Sequence, residues 1–307
     1  MIVRYTLRVM LDDDFELPDF SGYIVRGIFY HLIREVDPRL AEGLHQVKRL
    51  APFSTSPLTI EHAEDRKRGA VKKLRRGDTL LWRAALLDEG LAKRFLDSLL
   101  LKMEVKVGDV NAHLCGVSVE SIDAGQLFKR AEPVRSFIVD FETPTFFRQS
   151  ILRECCPFCP VDRGSCRHVR DAVRRYRFIP LPDPYLMFRN LLRLWMAFSN
   201  VPLKNHKEYI DWLKYGGVAV AGYSDLKTVR VYEHPTTPKW SVGFVGRAYF
   251  NLPEDTYAED MAKITDTLLK FGEHSNVGGN RTAGFGCIKY KPKGDLKSNV
   301  LANRPSA

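Results

Sequence analysis

The chain has 307 residues, of which 45% are apolar, 11% aromatic and 27% charged, a composition that supports a substantial core and excludes a disordered or fibrous polymer. Lys and Arg outnumber Asp and Glu by 47 to 37, a formal charge of +10, which favours polyanionic partners, nucleic acid first among them. No segment offers the ~18 to 20 uninterrupted apolar residues of a membrane-spanning helix, and Met1–Leu11 runs into Asp12, Asp13 and Asp14 where a secretory signal needs an apolar stretch and a small-residue cleavage site; the expected location is the cytoplasm.

Ile2–Leu11, rich in β-branched and aromatic residues, predicts a strand. From Ser21, the residues Val25, Ile28, Phe29, Leu32, Ile33 and Val36 recur at helical spacing, while Arg26, Tyr30 and Arg34, four apart, share a more polar face. Asp37-Pro38 reads as the cap and first turn of a second short helix that ends with His45 in its last turn. Strands follow over Arg49–Thr55 and Asp78–Leu87, on either side of a basic loop, Arg66–Arg76. A helix from Glu89 to about Met103 and a strand over His113–Ile122 complete the first half.

Gly125–Glu132 reads as a linker, and the outline then repeats. Val134–Phe147 predicts a strand, Pro184–Phe198 and Lys207–Tyr215 helices, and Val218–Ala221, Val229–Tyr232 and Val242–Phe250 strands. A helix over Tyr257–Phe271 and a strand over Gly284–Tyr290 close the second half, leaving a loose tail after Lys293. The fold class expected is α+β, with two tandem ferredoxin-like domains of βαββαβ order, the scaffold shared by RNA-recognition modules, over residues 1–125 and 133–293.

Two features of the second half carry chemistry. Cys155-Cys156-Pro157-Phe158-Cys159 continues to Cys166 and His168, a thiolate and imidazole set suited to zinc. Cys156, Cys159 and Cys166 are the firmer ligands, with His168 and Cys155 competing for the fourth place. Reduced thiols, a disulfide or an iron–sulfur cluster stay open as alternatives, and a metal here would serve structure. The other feature is the run from Asn276 to Gly286, where Gly278, Gly279, Gly284 and Gly286 let the backbone approach a ligand and Arg281 adds a charge suited to phosphate. A plain tight turn is the competing reading.

The spacing glycine, apolar, glycine, five residues including a basic one, glycine, apolar, glycine resembles the signature of the RAMP superfamily of CRISPR-associated proteins, with Asn276 standing where the first glycine belongs. Asn tolerates positive φ well. Gly27-Ile28-Phe29-Tyr30, the run from Asp37 to Lys48, Phe53-Ser54-Thr55-Ser56-Pro57-Leu58, Phe141-Glu142-Thr143-Pro144-Thr145 and Gly243-Phe244-Val245-Gly246 are similar to the repeat-RNA-processing endoribonucleases called Cas six. The resemblance implies a chain that binds CRISPR repeat RNA and cuts it once, with no cofactor for catalysis, to give crRNA.

Metal-free cleavage uses the substrate's own 2′-hydroxyl as nucleophile and needs a base, an acid and a cation. Histidine suits both proton steps near neutrality. The resemblance places Tyr30 and His45 on the family's tyrosine and histidine. The family's lysine position is Ala51 here, which leaves Lys48 or Arg49 to replace it. His31, beside Tyr30, is the alternative base. Arg26 and Arg34 on the first helix are RNA-binding candidates, with the glycine loop and the arginine run from Arg167 to Arg177. A non-catalytic RNA-binding subunit of a CRISPR effector would share the loop without needing Tyr30 and His45, and a zinc-dependent nuclease would lose activity in EDTA. Other effector subunits or a second copy of the chain are the protein partners the sequence leaves open.

Overall fold

The computed structural model describes residues 1–45, 50–61, 72–150, 176–232 and 240–293. In β1 (Ile2–Leu11), alternation buries Val3, Tyr5, Leu7, Val9 and Leu11 and turns Arg4 and Arg8 to the other face. After the short β2 (Phe15–Leu17), α1 (Gly22–Val36) buries Val25, Ile28, Phe29, Leu32 and Ile33 as its spacing predicts. Asp37 accepts a hydrogen bond from the Leu40 amide at 2.9 Å and so starts α2 (Pro38–His45). The half continues through β3 (Phe53–Thr55), β4 (Thr59–Ile60), β5 (Lys72–Leu74), β6 (Thr79–Leu86), α3 (Glu89–Leu101), β7 (Glu104–Val107), β8 (Val110–Ile122) and α4 (Ala124–Lys129). Its sheet is antiparallel in the order β3-β6-β1-β8-β7.

The second half comprises β9 (Ser136–Thr145), β10 (Phe147–Ser150), β11 (Tyr176–Ile179), α5 (Pro184–Phe198), α6 (His206–Lys214), β12 (Ala219–Tyr232), β13 (Trp240–Asn251), α7 (Glu259–Ser275), a 3-10 turn at Arg281–Ala283 and β14 (Ile288–Lys293). Its sheet runs β12-β13-β9-β14. The protein is thus α+β with two sheet-bearing halves. Leaving aside the added β7, both sheets place the second, third, first and fourth strands of their half side by side, with a helix after the first and after the third.

Each half has its own core. Phe29 stacks on Phe53 and Phe95 at centroid distances of 4.0 and 5.1 Å, whereas Phe137 stacks on Phe250 at 5.0 Å. A third, smaller cluster joins the halves. There Phe285 meets Phe20 at 4.7 Å and Phe146 at 5.7 Å, together with Val231 and Ala283.

Several expectations need correction. Most of Gly125–Glu132, expected as a linker, is helical: Asp123 caps the Gly125 amide at 2.8 Å and starts α4, and the Arg130 carbonyl just beyond it accepts from Lys270 of α7 at 3.0 Å. The two strands expected before Tyr232 are one strand, β12, bulged between Ser224 and Lys227 with Asp225 at φ 54°. The strand expected from Gly284 begins only at Ile288, since the residues before it form a loop. The hairpin strand β7 was missed, although the alternation of Glu104–Val107 before Gly108 was its signal. The cysteine cluster, most of the basic loop and the tail after Lys293 lie outside the described residues.

Asp266 ties this half together. Only 1% exposed, it accepts from the Tyr290 hydroxyl at 2.5 Å and the Glu132 amide at 2.9 Å and pairs with Lys270 at 2.7 Å. Asp266→Ala should therefore lower unfolding stability by about 3 kcal/mol, the cost of stranding buried partners, with Asp266→Asn losing less. Urea midpoints of the two variants check this.

Candidate active site and the loop that positions it

Helix α1 links the glycine-rich loop at its start to Tyr30 at its middle. At its start, Gly22 lies so close to the 3-10 turn that a Cβ there would sit 1.9 Å from the Ala283 carbonyl oxygen, and the Ser21 hydroxyl accepts from the Leu58 amide at 2.8 Å. Tyr30 stands eight residues on, about 12 Å along the axis. Its ring meets His45 edge-on at a centroid distance of 5.3 Å. The Tyr30 hydroxyl donates to the Leu44 carbonyl at 3.2 Å, so it braces the turn that presents His45. Burial holds this phenol above its ordinary range, and Arg26 opposes the shift, so it is protonated near neutrality. His45 is exposed at the C-terminal end of α2.

Of the other cations expected at the site, Arg26 lies over the Tyr23 ring at 5.0 Å and Arg34 is exposed in the last turn of α1; both stay on the helix that carries Tyr30. Lys48 and Arg49 lie outside the described residues, as do Cys155, Cys156, Cys159, Cys166 and His168. Among the described residues no cluster of three or more His, Cys, Asp or Glu could hold a metal ion. His31, the alternative base, is engaged by Lys102 at 3.0 Å and Glu35 at 3.6 Å, and His113 by Asp12 at 2.7 Å.

The glycine loop differs from the phosphate cradle expected. Arg281 is 6% exposed, and its guanidinium donates to the Ser275 carbonyl at 2.7 Å and the Ala51 carbonyl at 2.8 Å. Burial pulls its pKa down to about 10, which still leaves it charged at neutral pH. The backbone amides of the loop are also turned inward: Gly278 donates to Asn190, Gly279 to the Phe146 carbonyl, Gly284 to the Arg281 carbonyl and Gly286 to the Pro144 carbonyl. Glycine is required by the protein's own packing. At Gly286, with φ 72°, a Cβ would lie 1.8 Å from the Val277 carbonyl oxygen, and at Gly278, with φ 78°, 2.4 Å from that of Phe146. Asn276 does adopt positive φ, 55°, and its amide donates to the Thr55 and Phe285 carbonyls.

These bonds fasten the second half onto β3 and the chain just before it. Ser54 donates to the His274 carbonyl at 2.8 Å and Thr55 to the Thr282 carbonyl at 3.1 Å. Beside this seam lies a cleft of about 180 Å³ lined in part by Arg4, Ser54, Arg83, Glu142, Glu273 and His274. Sequence reading missed it as a unit, because its lining residues are spread along the chain from Arg4 to Lys289 and share no motif. Burial first, then Arg4, whose guanidinium is 3.3 Å from the ring, pulls His274 down to about 4.

Comparison with known proteins accounts for this arrangement. Residues 139–288 match the model of the CRISPR-associated endoribonuclease Cas6, and residues 18–118 match that of the Cas6 N-terminal region. The chain belongs to the Cas6 family. No curated protein sequence matches it. Among solved structures it is similar to a Cas6 product complex at 24% identity, with 95% of this chain and 99% of that chain covered and a TM-score of 0.71. A second Cas6 product complex gives 25% identity, 94% and 99% coverage and 0.63. Thermus thermophilus Cas6 gives 22%, 95%, 98% and 0.64. Among the described residues no helix is long and apolar enough to cross a membrane.

Two outcomes are expected. Arg281→Ala should lower stability by about 2 kcal/mol or more, because two inward-facing carbonyls lose their donor, and a melting curve shows it as a reduced Tm. His274 has a folded-state pKa below its unfolded value, so the unfolded chain binds more protons between about pH 6.5 and 4. Its contribution to stability is present above that window and is lost as pH falls through it, on the order of 3 kcal/mol in all. Glu273, raised by burial, acts with the opposite sign at the acid end. The clean readout is the difference between wild type and His274→Gln in urea midpoint from pH 7 to 4.5, with the variant falling less.

Proposed function

We propose that this Cas6 chain binds CRISPR repeat RNA and cleaves the precursor transcript without metal. The observation that carries the reading is the edge-on contact of an exposed His45 with the Tyr30 ring, on a turn braced by the Tyr30 hydroxyl through the Leu44 carbonyl. In the reaction, the 2′-oxygen attacks the adjacent phosphorus as its proton passes to a base. The bond from phosphorus to the 5′-oxygen breaks, and that oxygen takes up a proton. The products are a 2′,3′-cyclic phosphate and a 5′-hydroxyl. His45 is the acid–base group, Tyr30 positions it through the Leu44 carbonyl, and Lys48 or Arg49 supplies the cation for the phosphorane. Arg26 and Arg34 extend the contact to neighbouring phosphates.

The tandem ferredoxin-like reading of the fold, over residues 1–125 and 133–293, is supported by the shared strand order of the two sheets. Two of the similar structures are Cas6 product complexes, which agrees with an RNA partner here. A structural zinc on Cys156, Cys159 and Cys166 with His168 is a further proposal, resting on their spacing; elemental analysis should find stoichiometric metal, and Cys156→Ser with Cys159→Ser should lower metal content and Tm before cleavage.

Incubation with repeat RNA should yield cleavage in EDTA, and a 2′-deoxy nucleotide just upstream of the scissile phosphate should abolish it. His45→Ala should slow single-turnover cleavage about 10²-fold or more, the scale of lost acid–base catalysis, with repeat affinity nearly intact. Cutting of the deoxy substrate overturns the mechanism. Tight binding with no cutting by the wild type would assign the chain as a non-catalytic RNA-binding subunit instead.

A further inference from the structure

Each residue of the 3-10 turn at Arg281–Ala283 holds a different point of the first half. The Arg281 guanidinium donates to the Ala51 carbonyl at 2.8 Å. The Thr282 carbonyl accepts from the Thr55 hydroxyl at 3.1 Å, and the Ala283 carbonyl lies against Gly22. Ala51 stands just before β3, Thr55 ends it, and Gly22 opens α1. One short turn of the second half therefore sets how β3 sits on α1.

Between those points lies the Tyr30 side of the candidate active site. Phe53, fully buried and between Ala51 and Thr55 in sequence, stacks on Phe29 at 4.0 Å and meets the Tyr30 ring edge-on at 6.0 Å. Tyr30 in turn meets His45 at 5.3 Å and donates to the Leu44 carbonyl at 3.2 Å. Close-packed rings transmit strain because they have little room to absorb it, so a shift of β3 against α1 passes to Phe53, then to Tyr30, and so to His45. Thr55 is the residue of β3 whose side chain bonds to the turn. It is 2% exposed, and its carbonyl is held as well, by the Asn276 amide at 2.8 Å.

We propose that Thr55 is a positioning residue for RNA cleavage, whose hydroxyl on the Thr282 carbonyl sets the placement of β3 on α1 and with it the orientation of Tyr30 against His45. Thr55 is buried and meets no RNA; it acts through Phe53 and Tyr30. The second half thereby governs the acid–base site of the first, and cleavage is coupled to closure of the seam. The inference rests on the proposed function for the role of His45, but one of its readouts does not depend on cutting.

The experiment compares wild type with Thr55→Val, which removes the hydroxyl at nearly constant shape, and with Thr55→Ser, which keeps it. The control is Thr267→Val. Thr267 is fully buried in α7 and its hydroxyl donates to the Lys263 carbonyl at 2.8 Å, so a similar bond is lost within one helix rather than across the seam. The readouts are single-turnover cleavage of repeat RNA at saturating protein and well below the lowest Tm, repeat affinity, Tm, and the NMR signal of the His45 ring, assigned with His45→Gln. Thr55→Val should cut about 10-fold more slowly, short of the ~10²-fold that a 1 Å misplacement of reacting groups costs, with affinity within about 2-fold. Its His45 signal should move, because the field of the Tyr30 ring at His45 depends on their mutual angle. Thr55→Ser should match the wild type in rate and signal, and Thr267→Val should lower Tm while leaving both unchanged. A wild-type rate or an unmoved His45 signal in Thr55→Val, no rescue by serine, or an equal slowing in Thr267→Val overturns the proposal. Failure of the wild type to cut would sink the catalytic reading alone, since the His45 signal still reports whether Thr55 sets that ring.

Discussion

The guanidinium of Arg281 is the contact on which the arrangement of this protein depends. A buried cation is costly unless its hydrogens are matched, and here they reach the Ser275 carbonyl at the end of α7 and the Ala51 carbonyl just before β3. One side chain thus joins the last helix of the second half to the segment that follows α2 in the first. Around it, Asn276, Thr55 and Ser54 repeat the pattern, each linking across the seam through a carbonyl. A side chain added at Gly278 or Gly286 would drive into neighbouring backbone, so the loop can adopt this fit only as glycine.

This fixes the site without enclosing it. His45 remains exposed on a short helix whose own stability is small, since isolated helices of this length are marginal in water. What holds it are the Asp37 cap at one end and the Tyr30 hydroxyl on the Leu44 carbonyl at the other, with Ala41 and Leu44 buried between. An exposed histidine on a braced turn is open to a macromolecular substrate, which must approach from solvent.

The family was legible from the sequence because its marks are local. Glycine spacing in the loop, the capped turn at Asp37-Pro38 and the Tyr30–His45 interval are each set within a few residues. The helical face of α1 and the alternation of β1 follow from periodicity alone, and both appear as expected. Errors fell where a local signal was weak or tertiary contacts overrode it. Gly125–Glu132 looks like a linker by composition, yet the Asp123 cap and packing on α7 make it helical. The bulged β12 was split in two because Asp225 at positive φ interrupts its alternation without ending its pairing.

By itself the sequence determined most of the long helices and strands, the repeat of two halves, the net charge that favours RNA and the residue types able to do acid–base chemistry, all of which depend on neighbours along the chain. Only the tertiary structure decided what Arg281 does. From sequence, a basic residue among glycines is as suitable for a phosphate as for a carbonyl. The choice was made by Ala51, 230 residues away, whose carbonyl comes within reach only when the two halves close, and no local pattern encodes that distance.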